Sequence, residues 1–376
     1  MTDNQIWSAP QSDGFSASIN LPGSKSLTNR ELVLSALAIS PTTLIKPLDS
    51  RDSQLMITAL ESLGTEFAWS GENLLVTPHA LSGPAQIDCG LAGTVMRFVP
   101  PIAILANGEV FFDGDQGAKN RPMGAAIESL RALGAKVKAD NDNLPFTVMG
   151  GGSVIGGSLT IDASASSQFV SGLLLSAPRF DQGLRLNHSG ASLPSLPHIE
   201  MTLETLRQRG IEARMLSDTS WEVPPGEIEG GQVTIEPDLS NAGPFMAAAM
   251  VSGGSVQIPN WPSKTTQVGD NYRGILEQMG AEIQLQDDVL SISGTGVIQG
   301  IEIDLGAAGE LTPTIAALAA LATSRSKLIG IGHLRGHETD RLKALVTEIN
   351  NLGGSAKELE DGLEITPSPL FAGTWH

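Results

Sequence analysis

The 376-residue chain has one cysteine, Cys89, which excludes a disulfide framework within it and fits a reducing compartment. Cations are also scarce: 23 Lys and Arg against 41 Asp and Glu leave a net charge of −18. Nucleic acid and anionic membrane need a basic surface, so neither is expected as a partner, although a small anion can still bind locally. No apolar run is long enough to cross a bilayer, and the opening "MTDNQIWSAP" is acidic and polar, unlike a signal peptide. The six histidines are scattered, with no H-E-x-x-H and no cysteine pair, so no metal or other cofactor is expected. What remains is a globular chain, 41% hydrophobic, long enough for two domains and expected in the cytoplasm.

A motif recurs along it: "LESLGTEF", "LRALGAKV", "LRQRGIEA", "LEQMGAEI" and "INNLGGSA". In each, an amphipathic helix ends at a glycine (Gly64, Gly134, Gly210, Gly280, Gly353) and an apolar strand-like run follows. The glycines stand about seventy residues apart, which indicates a repeated unit of strands and helices. Five copies divide unevenly between two domains, so either the fold is asymmetric or a sixth unit is incomplete. Pro and Gly break the pattern near residues 22–24 and 235–240. This predicts one lobe formed by 1–23 and 238–376, with a second lobe, 24–237, inserted in it.

Several helix starts carry unusual chemistry. "PGSKSLTNRELVLSALA" places Lys25 and Arg30 at the start of an apolar helix, where the dipole already favours negative charge, so the cations make sense if an anion sits among them. In "LAGTVMRF", Thr94 can cap a helix with Arg97 in its first turn. "KNRPMGAAIESLRALGA" has Pro122 in the favoured first helical position and leaves Arg121 at the helix mouth, above a core stripe of Met123, Ile127 and Leu130. Ser166, Ser167 and Gln168 precede a buried helix, where hydroxyls either cap it or bind a phosphate together with the backbone. Asn241 reads as a plain cap.

Glu310 precedes a helix of almost pure alanine and leucine, which predicts a carboxylate at the edge of a dry site or a simple cap. The densest cluster, "GHLRGHETDRLKALV", predicts a helix from near Thr339 with His333, Arg335, His337, Glu338 and Arg341 at its mouth. Its apolar positions are Leu342, Leu345, Val346, Ile349 and Leu352. "GSKS" lacks Walker A spacing, "GTGVIQG" lacks dinucleotide-loop spacing, and no G-x-S-x-G is present.

Taken in order, "LPGSKSLTNRELVLSALA", "LAGTVMRF", "NRPM", "SSQFVSGLLLSAP", "SLPHIEMTL", "DLSNAGPFMAAA" and "GHETDRL" resemble the 5-enolpyruvylshikimate-3-phosphate synthase family over nearly the whole chain. The resemblance implies an α/β (α+β) fold of two lobes, each built from β-α-β-α-β-β units about a pseudo-threefold axis, with helix N-termini aimed into the cleft between them. It implies transfer of the carboxyvinyl group of phosphoenolpyruvate to the 5-hydroxyl of shikimate 3-phosphate by a cytoplasmic monomer needing no cofactor.

By the same resemblance, Lys25, Ser26, Arg30, Ser166, Ser167, Gln168 and Ser195 would hold shikimate 3-phosphate, with Glu310 and His337. Lys25, Gly93, Arg121 and Arg341 would hold phosphoenolpyruvate. The catalytic groups would be Glu310, Glu338, Lys25 and His337, with Glu310 taking the hydroxyl proton. Leu91 stands where the family often has Asn, His198 for Tyr, His333 for Asn, His337 for Lys, and Glu310 for Asp. The family's "DHRMA" segment and terminal lysine do not precede the end at His376, so a truncated form is expected. Two other readings follow: a non-catalytic remnant that binds shikimate 3-phosphate, and the sister transferase acting on UDP-N-acetylglucosamine.

Overall fold

The computed structural model describes residues 14–193, 195–336 and 339–373, and shows a mixed α/β fold in which one pattern is used five times. In one copy, strand Ala85–Asp88 runs parallel to Asn107–Asp113, which lies antiparallel to Phe146–Gly151, itself paired antiparallel with Lys136–Ala139. A parallel pair requires a crossover, and the helix Gly93–Ala103 supplies it. A second helix, Gly124–Ala132, leads into the hairpin. All five four-stranded sheets repeat this order of one parallel and two antiparallel pairings.

The five repeat glycines each follow one of the second helices, with φ between +84° and +111°. In that left-handed region a side chain is strained, so glycine is required to turn the chain from helix into strand. The spacing in the sequence therefore marked a real structural period.

Two compact units divide the chain. One contains the described residues within Met1–Leu21, Leu239–Ser263 and Gly269–His376. It holds two sheets, and in one of them Ser16–Ser18 pairs in parallel with Ser255–Pro259. The other unit is Pro22–Asp238 with the short stretch Lys264–Val268, and it holds three sheets. That stretch is tied to Glu236, whose Oε2 accepts from Thr265 Oγ1 at 2.6 Å and from Gln267 Nε2 at 2.8 Å.

The three-sheet unit is organised by helices Lys25–Leu37, Gly93–Ala103 and Gln168–Ser176, which pack on one another. Gly172 allows the last two to approach closely, because a Cβ there would lie 2.2 Å from the Arg97 carbonyl oxygen. Helix Lys25–Leu37 is buried without a break from Thr28 to Leu37, so Asn29, Arg30 and Glu31 enter the interior with it. Buried charge must find partners there. Arg209 Nη1 meets Glu31 Oε2 at 2.7 Å, both side chains 3% exposed, and Arg209 also donates to Thr42 Oγ1 and the Glu229 carbonyl.

Some expected boundaries shift. The helix after Arg121 begins at Gly124 with Met123 as its N-cap residue, so Pro122 lies ahead of the first turn rather than in it. Helix Arg341–Asn351 begins after Asp340, whose carboxylate accepts the Lys343 N–H at 3.1 Å and thereby sets the start expected near Thr339. On that helix Leu342, Leu345 and Ile349 are buried, whereas Val346 and Leu352 are only partly so. Among the described residues no helix is long and apolar enough to cross a membrane.

Removing Arg209 leaves the Glu31 carboxylate buried without its guanidinium, so Arg209→Ala should cost about 3–5 kcal/mol in urea unfolding of the folded chain. Burial outweighs the pull of Arg209 and pushes the Glu31 carboxyl from 4.5 up to about 7. The folded state therefore keeps a proton that the unfolded chain has released, and Glu31's contribution to stability falls as pH rises from about 4.5 through 7. Glu31→Gln should flatten the stability profile across that window, measured by denaturant midpoints at successive pH values.

Candidate functional site

In the three-sheet unit the site residues come from helix starts. Ser24 caps Lys25–Leu37, its hydroxyl accepting the Leu27 N–H at 3.5 Å. The Lys25 backbone N–H donates to Asp238 Oδ2 at 3.1 Å, and its ammonium lies 3.6 Å from Asp52 Oδ2. Two carboxylates thus stand at the positive helix end. The Lys25–Asp52 pair is half exposed and weakly held, so a competing anion can draw the ammonium away.

Arg30 is placed differently from Lys25. It is buried and donates to Thr202 Oγ1 at 2.8 Å, to the Ser26 carbonyl at 2.9 Å and to the His198 carbonyl at 2.7 Å. Thr202 Oγ1 in turn contacts Ser171 Oγ at 3.0 Å. Arg30 therefore joins helices Lys25–Leu37, Gln168–Ser176 and Leu196–Gln208.

Gly93, Arg121 and Gln168, drawn from three separate sequence motifs, meet at one point. A Cβ on Gly93 would lie 3.0 Å from Gln168 Oε1, 3.0 Å from Arg97 Nη1 and 3.2 Å from Arg121 Nη2. A side chain there would crowd all three, so glycine permits the close approach. Gln168 Oε1 is buried and has no hydrogen-bond partner, and Thr94 Oγ1 is in the same condition. Thr94 consequently does not cap its helix: Ala92 is the N-cap residue, and no side chain bonds there. Arg121 Nη1 donates to the Leu91 carbonyl at 3.2 Å, so a backbone oxygen makes the contact at the position where the family often has Asn.

Ser166 and Ser167 precede Gln168 as expected, but neither hydroxyl caps the helix by a conventional bond; Ser166 Oγ accepts the Gln168 N–H at 3.2 Å. Ser195 is the N-cap residue of Leu196–Gln208 with φ +54°, a left-handed conformation unusual for serine. The helix starts of this unit therefore offer guanidinium groups, a lysine, serine hydroxyls and an unpaired amide oxygen, residue types suited to a phosphorylated polyol, and of these Gly93, Arg97, Arg121 and Gln168 are the ones seen to converge.

In the two-sheet unit, Glu310 lies in the turn Gly309–Leu311 and accepts a hydrogen bond from Ser240 Oγ. It is exposed, which corrects the expectation of a dry edge: the helix Thr312–Ala320 is buried on one side only. Glu310 does not cap that helix, and Asn241 does not cap Gly243–Ser252, whose N-cap residue is Ala242. Nearby Tyr272 is buried, which pushes its hydroxyl up to about 12.

Arg335 is committed to Asp340 and Glu358. His333 is half buried, and burial holds its imidazole below the usual histidine range. Arg341 opens its helix, and His337 and Glu338 lie outside the described residues.

Arg97 was legible only as a first-turn arginine; its packing over the Phe169 ring, 5.4 Å to the centroid, and its approach to Gly93 are tertiary. Ser240 was hidden because its partner is 70 residues away. Asp340 was findable from its type, directly before an apolar periodic run. Gly93→Ala should push Arg121 and Gln168 aside by a few tenths of an ångström and weaken inorganic phosphate binding about tenfold, about 1.4 kcal/mol, by calorimetry.

Comparison with known proteins gives a consistent result. A family described as EPSP synthase (3-phosphoshikimate 1-carboxyvinyltransferase) matches residues 10–376. A Kocuria rhizophila protein named 3-phosphoshikimate 1-carboxyvinyltransferase is 53% identical over 387 residues, covering 99% of this chain and 87% of that protein. A solved EPSP synthase from Acinetobacter baumannii superposes with a TM-score of 0.81 at 23% identity, covering 97% of this chain and 86% of the other. A second structure from that organism gives 0.78 at 22% identity over 97% and 84%. At such identities the structural likeness establishes the fold.

Proposed function

The chain belongs to the EPSP synthase family, and from that premise we propose that it transfers the carboxyvinyl group of phosphoenolpyruvate to the 5-hydroxyl of shikimate 3-phosphate, releasing phosphate. The observation that carries the reading in this molecule is the meeting of Gly93, Arg121 and Gln168 at the start of one helix. Two polyanions need available cations: Arg121 donates only to a neutral backbone carbonyl among the described contacts, and Lys25 is held by a long, half-exposed pair with Asp52 that an anion can displace.

In the proposed reaction the 5-hydroxyl oxygen attacks C2 of phosphoenolpyruvate while C3 takes a proton, giving a tetrahedral ketal phosphate. Loss of a C3 proton and of phosphate then restores the double bond as an enol ether. Glu310 takes the hydroxyl proton, and its bond from Ser240 orients it for that role. Lys25, Glu338 and His337 are the candidates for handling the C3 proton. Arg121 and Arg341 hold phosphoenolpyruvate, while Ser166, Ser167, Gln168 and Ser195 hold shikimate 3-phosphate. Fixed cations and helix ends meet the developing charge without reorganising. Arg30, buried and bonded to Thr202, Ser26 and His198, contributes by joining three helices.

The test is phosphate release in the presence of both substrates, with no competition by UDP-N-acetylglucosamine. Glu310→Gln should lower kcat by about 10²–10⁴, far more than it changes calorimetric binding of shikimate 3-phosphate, because the amide keeps an acceptor but cannot take the proton. Arg121→Ala should raise the KM for phosphoenolpyruvate about tenfold or more. Binding of shikimate 3-phosphate without phosphate release would overturn the transferase reading.

A further inference from the structure

Strands Gly157–Ile161 and Leu184–His188 lie parallel and in register, Ile161 opposite His188, and both chains then leave the sheet into the loops that carry Ser166 and Ser195. His188 is 8% exposed, and its Nδ1 accepts the backbone N–H of the fully buried Ala163 at 3.1 Å. With Nδ1 accepting, the neutral ring carries its proton on Nε2, which is buried and without a protein partner. A buried imidazole with an unmatched donor costs free energy, so its retention calls for a compensating role.

The bonds beyond Ala163 indicate that role. The Ala163 carbonyl accepts the Ser166 N–H at 3.0 Å, and Ser166 Oγ accepts the Gln168 N–H at 3.2 Å. An unbroken series of hydrogen bonds and peptide units therefore runs from the imidazole to the three residues at the start of helix Gln168–Ser176. The second loop is seated on the same ring. At Gly190 a Cβ would lie 2.6 Å from His188 Cε1, 2.0 Å from Ser164 Oγ and 2.3 Å from Asp162 Oδ1, so the two loops touch backbone to side chain. Asp162 Oδ1 also accepts the Ser164 N–H at 2.9 Å.

We propose that His188 is a positioning residue for shikimate 3-phosphate: its Nδ1 fixes the Ala163 peptide and, through it, presets Ser166, Ser167 and Gln168, while its ring seats the loop leading to Ser195. The proposal rests on the substrate assignment made above. It requires an acceptor at the place of Nδ1 and makes no use of imidazole protonation. Asparagine, whose Oδ1 falls near the position of Nδ1, should therefore replace His188, whereas alanine should not.

The experiment compares the full chain with His188→Ala and His188→Asn. Alanine should raise the Kd for shikimate 3-phosphate about tenfold, about 1.4 kcal/mol, and leave the KM for phosphoenolpyruvate within twofold at saturating shikimate 3-phosphate. Asparagine should restore most of the affinity. Amide hydrogen exchange read without ligand should show Ala163 and Ser166 protected in the wild type, faster by about tenfold with alanine and protected again with asparagine.

Equal rises for both substrates, an asparagine variant as impaired as the alanine one, or an unprotected Ala163 amide in the wild type would each overturn the proposal. A melting temperature lowered with affinity unchanged would do the same. If the wild type binds no shikimate 3-phosphate, the substrate assignment fails, and the exchange data still decide whether His188 holds the loop. If the alanine variant does not fold, the wild-type exchange and the asparagine variant decide it.

Discussion

The three-sheet unit depends on how two charges are accommodated inside it. Helix Lys25–Leu37 is enclosed on every side from Thr28 onward, so Arg30 and Glu31 cannot reach water and must be met by the protein. Arg209 meets Glu31, and Thr202, Ser26 and His198 meet Arg30. Each of these partners is a directional acceptor or donor, and each belongs to a particular place in the fold. Hydrophobic packing alone would allow these helices to slide by a fraction of a turn, whereas a guanidinium bonded to both Thr202 and His198 on the facing helix would not. Charge satisfaction thereby sets helix register, and helix register sets where Lys25 and Gln168 stand.

That constraint explains why functional groups gather at helix starts. A parallel pair needs a crossover, the crossover helix begins where a strand ends, and its first turn offers unpaired N–H groups. Repeating the unit supplies several such ends. The residues placed there are a cation or small polar groups: Lys25 on one helix, Gly93 beside Arg97 on another, Gln168 after two serines on a third. Gly93 is the clearest case, because its lack of a side chain lets Arg121 and Gln168 approach the helix mouth.

Much of this was legible in the sequence. The five glycines declared the repeat because a helix that turns at once into a strand needs a left-handed residue, a local demand. The motifs around Lys25, Gly93, Arg121, Ser166 and Arg341 could be placed at helix starts because capping and periodicity are also local. Where the reading slipped, a nonlocal term had intervened. Thr94 has the chemistry of a cap, yet packing buries its hydroxyl without a partner. Glu310 precedes an apolar helix, yet that helix buries only one side and leaves the carboxylate exposed.

The sequence by itself determined the unit, its period, its α/β class and the residue types at each helix mouth, since all of these follow from backbone preferences acting over a few residues. Only the tertiary structure decided which mouths meet and which charges are used up internally. Arg30 and Lys25 are five positions apart on one helix and look alike in a string of letters. One is buried under Thr202 and His198 and the other is exposed beside Asp52, and that difference arises because packing encloses the helix only from Thr28 onward and leaves its first turn open.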